Sequence, residues 1–336
     1  MAVVVALSVL DLSPVPPGAT AATAVDATVE LARTAERLRY TRFWLAEHHN
    51  TPSLASSTPA LLIERVASAT STIRVGSGGV MLPNHSPLSV AESFRLLEAL
   101  HPDRIDLGIG RAPGTDGLTA YALRRSEDAL HAEDFPERFA ELLGFLGDGF
   151  EPEHPYSRIA VSPADVDPPA VWMLGSSDFG GRMAARYGLG FAFAHHINAN
   201  PCVATMRAYR EQFQPSSRLA QPHAIVAVSV VCAADDDEAE RLAAPVDLAM
   251  VRLVQGRPRQ RFARPEEAAE HQFSAAEDQI RRRNRARYVV GGVERVHATL
   301  SALVNATGAD ELMVTTMVAD PAARLRTYEL LADAFS

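Results

Sequence analysis

Cysteine is scarce in this chain, which has only Cys202 and Cys232 in 336 residues. The two lie in different segments, and neither belongs to a spacing that binds zinc. So few thiols argue against a disulfide scaffold and favour a reducing compartment. We therefore expect a cytoplasmic protein with no metal site.

The chain also lacks long runs of basic residues and long runs of apolar residues. The chain has 32 Lys and Arg against 41 Asp and Glu, a net charge of -9, and no long basic run. This balance argues against a nucleic-acid partner. The apolar segment MAVVVALSVL lacks a basic n-region and is too short to span a bilayer, so we expect a buried strand and no membrane partner. Hydrophobic residues make up 47% of the chain, which excludes global disorder.

Strand and helix patterns alternate along the chain with short connections. Short apolar runs, of which 2–10 and 224–232 are rich in valine, predict strands at 2–10, 43–46, 73–82, 105–109, 171–174, 189–194, 224–232, 287–290 and 311–315. Most are followed by amphipathic helical spacing. About eight βα units predict the α/β class, with one (β/α)8 TIM-barrel domain over residues 1–336 that carries insertions. Segments 147–167 and 255–279 are irregular or polar, and we expect surface insertions there, the second of them mobile.

Three successive strands end in polar or glycine-rich residues. AEHHN occupies Ala46–Asn50, GSGGVMLPNH occupies Gly76–His85, and GIGRAPGTD occupies Gly108–Asp116. The carboxyl ends of the strands of a (β/α)8 barrel meet on one face, where such barrels hold their active sites. We therefore expect the functional residues on that face.

Two pairs of adjacent histidines follow strands. His48 and His49 lie on an extended segment and point to opposite sides, so they cannot easily chelate one metal ion. One of them should face the barrel mouth, where an imidazole can act as acid or base near neutral pH; satisfaction of both by backbone groups is an equal alternative. For His195 and His196, packing at the barrel rim is slightly favoured over a substrate contact.

Glycines interrupt the third strand at Ser77, Gly78 and Gly79. The pattern modestly favours close approach of a flat ligand to the backbone over a packing bulge. GIGRAPGTD has the spacing GxGxxxG rather than GxGxxG, which makes a Rossmann site unlikely.

Two further features suit an anion. Arg111 follows a strand and could bind a phosphate through two hydrogen bonds, or form a surface ion pair. Gly175, Ser176 and Ser177 precede a helix whose free N–H groups form an anion site, or an ordinary cap. Together they predict a phosphate held between two βα loops.

These motifs resemble those of the bacterial luciferase-like flavin monooxygenases. AEHHN, GSGGVMLPNH, RIDLGIGRAPGTD and WMLGSSDFG are similar to the FMN-type branch found in polyketide and other small-molecule (antibiotic) biosynthesis. The resemblance covers Arg42–Asp116 and Trp172–Asn198 clearly and the C-terminal part weakly. It implies a TIM barrel that uses reduced FMN or the deazaflavin F420.

The resemblance also implies roles for single residues. His48 matches the catalytic histidine that supports the flavin C4a-peroxide. Gly78–Gly79 match a non-prolyl cis peptide under the isoalloxazine ring, and Arg111 and Ser176 match phosphate ligands. Gly110 stands where the luciferases carry a reactive cysteine, which argues against light emission and leaves space beside the flavin.

The expected function is that of a two-component monooxygenase. A separate NAD(P)H:flavin reductase would supply FMNH2. The enzyme would then use O2 to hydroxylate or epoxidise a small organic substrate, or to insert an oxygen atom into it by Baeyer–Villiger oxidation. The expected cofactor-binding residues are Ser77, Gly78, Gly79, Arg111, Gly175, Ser176 and Ser177, and the expected substrate-pocket residues are Glu47, His85, Gly110, His195 and His196.

Two alternatives stay open. An F420-dependent hydride-transfer enzyme is disfavoured by the acidic net charge, although the Arg-rich stretch 255–287 could accept an acidic tail. A non-catalytic flavin-binding protein is disfavoured by the intact EHH motif. Family members are often homodimers, and we expect one here.

Overall fold

The computed structural model describes residues 5–112, 114–126, 128, 133–256 and 262–336. The strands are β1 (Ala6–Asp11), β2 (Arg42–Leu45), β3 (Arg74–Ser77), β4 (Val80–Met81), β5 (Ile105–Gly110), β6 (Ala170–Gly175), β7 (Gly190–Ala194), β8 (Ala224–Ala233), β9 (Tyr288–Gly292) and β10 (Glu311–Thr315). The helices are α1 (Ala21–Arg37), α2 (Pro59–Ala67), α3 (Pro87–Leu100), α4 (Gly117–Arg124), α5 (Phe135–Leu143), α6 (Asp178–Tyr187), α7 (Cys202–Gln212), α8 (Asp236–Val254), α9 (Pro265–Glu270), α10 (Ala275–Arg285), α11 (Val293–Thr307) and α12 (Pro321–Phe335).

The strands close into a parallel barrel. Their order is β10, β1, β2, β3, β5, β6, β7, β8 and back to β10. Strands β3 and β4 act as one barrel strand, because both pair with β5 on either side of a short interruption. The eight strand positions so formed confirm the predicted (β/α)8 barrel.

One predicted strand lies outside the barrel. Strand β8 is longer than its neighbours, and its first half pairs with β10. Its second half, Ser229–Ala233, extends beyond the barrel and pairs with β9. Strand β9 is therefore an addition at the carboxyl end of β8 and does not help to close the barrel.

Side chains of each strand alternate between two apolar layers. Phe43 and Leu45 point outward into the layer packed under the helices, which is the larger core. Trp44 points inward, where it meets Trp172 edge to face at 5.5 Å between ring centres. The barrel interior is thus filled by side chains, as closure of eight strands requires.

The amino-terminal end of the barrel interior holds a buried charge network. The Arg42 guanidinium donates to Asp106 at 2.7 Å and to Glu311 at 2.8 Å. Asp106 also accepts from Arg74 and from the Trp44 indole. Burial opposes the charge of Arg42, yet the two carboxylates raise its pKa above the ordinary value. The ion pairs therefore offset the cost of removing each charge from water, and none of these groups could be buried in its charged form without its partners.

A cavity of about 570 Å³ opens at the same end of the barrel. Arg74, Trp172 and His223 contribute to its walls, and all three stand at or near strand beginnings. It therefore lies on the face opposite the strand ends that carry the predicted site.

The two expected insertions differ. Between Asp148 and Ala170 the chain forms no helix or strand, as expected, and Arg95 binds carbonyl oxygens of this loop. The described part of 255–279 instead contains α9 and the start of α10. These helices pack on α8 through a small apolar cluster and through Arg285, which binds Asp247 at 2.7 Å. Apolar and ionic contacts thus fold the described part of this segment against α8.

None of the described helices is both long and apolar enough to cross a membrane.

Candidate active site

The predicted residues gather at the carboxyl ends of β2, β4, β5, β6 and β7. Glu47 after β2 contacts His85 after β4, and Asn198 after β7 donates to the Ser176 carbonyl after β6 at 3.1 Å. The barrel thus brings segments distant in sequence to one mouth.

Glu47 is the centre of a buried hydrogen-bond cluster. Its carboxylate accepts from His49 Nε2 and His85 Nε2, each at 2.9 Å, and from the Met81 N–H at 2.9 Å. Burial acts to raise the pKa of Glu47, but the hydrogen bonds from His85, Met81 and His49 outweigh it and lower the pKa. The side chain is fully buried, so Glu47 lies behind the expected substrate pocket and acts through the two histidines.

The two histidines of the EHH motif diverge. His49 turns back to Glu47, as residues two apart on an extended segment should. His48 points the other way, and its backbone N–H donates to the Ser56 carbonyl at 2.8 Å. Its Nδ1 is buried and finds no hydrogen-bond partner among the described residues. Burial lowers the pKa of His48, so the imidazole is neutral near pH 7.

His195 and His196 lie next to His48 in the mouth. The His196 Nδ1–H donates to the Ala227 carbonyl at 3.0 Å, and this bond fixes the ring and leaves Nε2 as an acceptor. Burial lowers the pKa of His196 to about 4, and the charged forms of His48 and His195 would oppose its protonation further. His195 has a buried Nδ1 without a partner in the described part of the chain, and burial lowers its pKa. The mouth therefore holds neutral imidazoles.

The interruption between β3 and β4 consists of two glycines, Gly78 and Gly79. The peptide bond joining Gly78 and Gly79 is cis. A Cβ atom on Gly78 would lie 2.6 Å from Leu10, and one on Gly79 would lie 2.7 Å from the Gly108 carbonyl oxygen. Groups of the neighbouring strands thus leave no room for a side chain at either position.

Ser77 has a structural partner. Its hydroxyl donates to the Gly108 carbonyl at 2.9 Å and accepts from the Gly108 N–H at 3.0 Å. The hydroxyl therefore joins β3 to β5 where regular pairing stops, and its hydrogen bonds go to protein rather than to a ligand.

The space beside Gly110 is filled. A Cβ atom there would lie 3.0 Å from the Met81 sulfur. The missing side chain therefore does not leave the opening that the sequence suggested, because the thioether of Met81 takes its place.

The predicted anion-binding residues come together on two adjacent loops. The Arg111 guanidinium stacks over the Phe179 ring, with its carbon 4.1 Å from the ring centre. Phe179 lies in the first turn of α6, which follows Ser176 and Ser177. Ser177 occupies the cap position, but its side chain makes no capping hydrogen bond. The first N–H groups of α6 and the serine hydroxyls are thus available near a fixed cation.

A turn contact explains the small residue at Gly175. A Cβ atom there would lie 3.3 Å from the Gly180 Cα, so the β6–α6 turn is tight. Asp178 also lies in the first turn of α6. Its carboxylate forms an ion pair with Arg182, which partly neutralises this negative charge near the loop.

Arg287 is a polar residue of the mouth that the sequence did not single out. Its guanidinium donates to the Ile197 carbonyl at 2.9 Å and to the Asn284 side-chain oxygen at 2.5 Å. The only sequence signal is the run RRRNRAR, in which periodicity does not show which arginine faces the site. Within the described ranges, no group of three His, Cys, Asp or Glu side chains could hold a metal ion.

Comparison with known proteins gives consistent matches over nearly the whole chain. The family model described as luciferase-like monooxygenase matches residues 5–311. The chain is 44% identical to YvbT of Bacillus subtilis (97% of this chain, 96% of that protein). It is 39% identical to the luciferase-like monooxygenase of Escherichia coli K12 (98% and 96%). It is 35% identical to the N-acetyl-S-alkylcysteine monooxygenase of B. subtilis (98% and 97%).

Solved structures show the same fold. Apo-MsnO8 is 41% identical with a TM-score of 0.86, over 98% of this chain and 97% of that one. The oxygenating component of 3,6-diketocamphane monooxygenase from Pseudomonas putida, in complex with FMN, is 20% identical with a TM-score of 0.68 (98% and 97%). An F420-dependent secondary alcohol dehydrogenase is 13% identical with a TM-score of 0.65 (99% and 100%). At these lower identities the likeness concerns the fold alone.

Proposed function

Because this chain belongs to the luciferase-like monooxygenase family, we propose that it is the oxygenase of a two-component system. A separate NAD(P)H:flavin reductase supplies FMNH2, and the enzyme uses O2 to oxygenate a small organic substrate. One observation carries the proposal: a single mouth holds the His48 imidazole, whose pKa burial lowers, together with the loops that carry Arg111 and Ser176.

The residues of the mouth fit a phosphorylated flavin. Arg111 is held by Phe179 beside the uncapped start of α6, and this arrangement suits a phosphate. The side-chain-free backbone of Gly78–Gly79 suits a flat ring system. In the proposal, Arg111, Ser176 and Ser177 hold the FMN phosphate, and the Gly78–Gly79 segment lies against the ring.

In the proposal, the protein positions the reactants, excludes water from the site and supplies one group that can transfer a proton. Bound reduced flavin supplies the two electrons with which one atom of O2 enters the substrate and the other leaves as water. His48 can accept or donate a hydrogen bond at Nδ1, which has no described protein partner. Its lowered pKa keeps it neutral, so it can take up or release a proton there. Trp44 and Leu10 fill the barrel below and exclude water.

Glu47 is a positioning residue in this scheme. Its carboxylate accepts hydrogen bonds from Nε2 of His49 and from Nε2 of His85, and these bonds fix the orientation of both rings. The cluster therefore sets the shape of the mouth on the side of β2 and β4.

The relative that is 35% identical suggests the first substrates to assay. It is named for N-acetyl-S-alkylcysteines, which carry a thioether. We propose thioethers of this kind as the starting compounds of a wider panel with phenols, alkenes and ketones.

Cofactor choice is tested by fluorescence titration with FMN, riboflavin and F420. We expect tight FMN binding, and Arg111→Ala should weaken FMN binding about tenfold or more while leaving riboflavin binding unchanged, because only FMN carries the phosphate. Tight binding of F420 without binding of FMN would contradict the proposal and would indicate an F420-dependent hydride-transfer enzyme.

Oxygenation is tested with the reductase, NADH, FMN and ¹⁸O₂ on the substrate panel. Mass spectrometry should find a product with one ¹⁸O atom. Stoichiometric hydrogen peroxide with every compound of the panel would indicate a flavin-binding protein instead.

The proposal includes a homodimer. Leu61 on α2 and Leu96 and Leu100 on α3 are exposed by 71%, 53% and 55%. These helices lie side by side on the outside of the barrel, and large exposed apolar patches commonly mark interfaces.

A further inference from the structure

We propose that Arg287, with Asn284 and His195, forms a subsite that binds a carboxylate group of the organic substrate. The inference rests on the proposed function for its setting, since it names the substrate as a small organic acid. The subsite is distinct from the loops assigned to the FMN phosphate.

Arg287 is held in place without being neutralised. The Ile197 carbonyl and the Asn284 side-chain oxygen accept from its two terminal nitrogens, and the side chain is half-buried. Neither partner is charged. Among the residues that the structure describes, no carboxylate lies within ion-pairing distance of this guanidinium. Its charge and its remaining N–H groups are therefore unused.

Three other arginines of the same run, RRRNRAR, are paired with carboxylates. Arg281 and Arg282 both pair with Asp278, at 2.7 and 2.6 Å. Arg285 pairs with Asp247 at 2.7 Å and with Glu240 at 2.9 Å. Arg287 therefore stands out within the run as a cation that has fixed geometry but no anion.

Two buried nitrogen atoms nearby also lack partners. Asn284 is only 5% exposed, and because its oxygen accepts from Arg287, its Nδ2 remains as a donor with no acceptor among the described groups. His195 Nδ1 is likewise buried and unpartnered, and His195 and Arg287 both lie close enough to His196 for their charged forms to oppose its protonation. Buried polar groups are nearly always hydrogen-bonded, so unpaired groups beside a free cation point to a missing acceptor. A carboxylate provides several acceptor positions in one plane.

The position of Arg287 places the subsite in the substrate region. Its anchor Ile197 follows His195 and His196 directly, and its charge is close enough to oppose protonation of His196. These residues follow β7, and Arg287 immediately precedes β9, which is paired to β8. The phosphate loops follow β5 and β6. The proposed carboxylate and the phosphate thus occupy different sectors of one mouth.

The guanidinium fork explains why a carboxylate is the preferred group. Arginine presents parallel N–H donors that match two carboxylate oxygens, and such charge-assisted pairs are stronger than neutral hydrogen bonds. A neutral amide of the same size offers one acceptor oxygen and no charge. The subsite should therefore separate an acid from its amide.

The test measures binding of 3-(phenylthio)propanoate and its amide by calorimetry, with and without oxidised FMN. Wild type should bind the acid about tenfold more tightly than the amide. Arg287→Ala should abolish this preference, and Arg287→Lys should retain part of it. Arg283→Ala is the matched control, because Arg283 is an exposed cation of the same segment; it should behave as wild type.

Three results would overturn the subsite. Wild type could fail to bind the acid or to prefer it over the amide. Arg283→Ala could reduce the preference as much as Arg287→Ala, which would indicate only general surface charge. Arg287→Ala could weaken FMN but not riboflavin, which would assign Arg287 to the cofactor. Acid binding through Arg287 in a chain that does not bind FMN would contradict the proposed function alone.

Discussion

His48 differs from its neighbour His49 in having a free ring nitrogen. Its Nδ1 is buried without a described partner, whereas His49 is committed to Glu47. His48→Ala should therefore leave the FMN dissociation constant nearly unchanged and lower the rate of oxygenation by about 100-fold or more, the usual scale for a proton-transfer group.

The measurement pairs FMN titration with the rate of product formation, and His49→Ala is the comparison. Equal loss of flavin affinity and rate in His48→Ala would show that the residue is structural.

His196 provides a prediction about pH. Its pKa falls from 6.5 to about 4 on folding because it is buried. Above pH 6.5 the ring is neutral in both states, so its full contribution to stability is present. Between pH 6.5 and about 4 only the unfolded chain takes up the proton, so stability is lost as the pH falls.

His196→Asn should therefore lose less unfolding free energy than wild type across this pH window, as measured by urea denaturation. His154→Asn, on the loop far from the mouth, serves as the control and should follow wild type. Parallel curves for wild type and His196→Asn would contradict the assignment.

At the level of the elements, the network of Arg42, Asp106 and Glu311 ties β2, β5 and β10 together at the base of the barrel. Asp106→Asn removes one charge and leaves Arg42 and Arg74 partly uncompensated. We expect a loss of about 3–5 kcal/mol in the free energy of unfolding.

The control is Glu30→Gln, whose exposed pair with Arg33 spans 3.9 Å. This change should alter stability by about 0.5 kcal/mol or less. Thermal or urea unfolding would measure both, and similar effects would mean that the buried network adds nothing.

The boundaries of the elements show how far periodicity reaches. Helical spacing runs from Tyr121 to Leu146 in the sequence and predicts one helix, but α4 ends at Arg124, the following Arg125 has a φ of 63°, and α5 begins at Phe135. Apolar spacing does not reveal where α4 ends, because the left-handed backbone of Arg125 leaves no periodic signal in the sequence. The sequence also does not show that β9 lies outside the barrel, because its valines are typical of any buried strand.

For the whole molecule, the exposed leucines of α2 and α3 predict association of two copies. Leu61→Glu combined with Leu96→Glu should convert a dimer into a monomer, because two charges would be buried in the interface. Sedimentation equilibrium measures the change. Leu118→Glu on α4 alters an equally exposed leucine elsewhere and should remain dimeric; a monomeric wild type would contradict the expectation.

The sequence by itself determined the (β/α)8 class and the face on which the motifs lie. Strand and helix periods are local properties, and the carboxyl ends of parallel strands necessarily share one end of a barrel. Those two facts suffice to place Glu47, His48, Arg111 and Ser176 in one mouth.

Only the tertiary structure decided which polar groups meet. Glu47 is buried behind two histidines, Ser77 binds Gly108, Met81 fills the space beside Gly110, and Arg287 is held by two uncharged acceptors. These contacts join residues up to 90 positions apart. No local pattern encodes such distances, because they follow from barrel closure and from the packing of side chains across different strands.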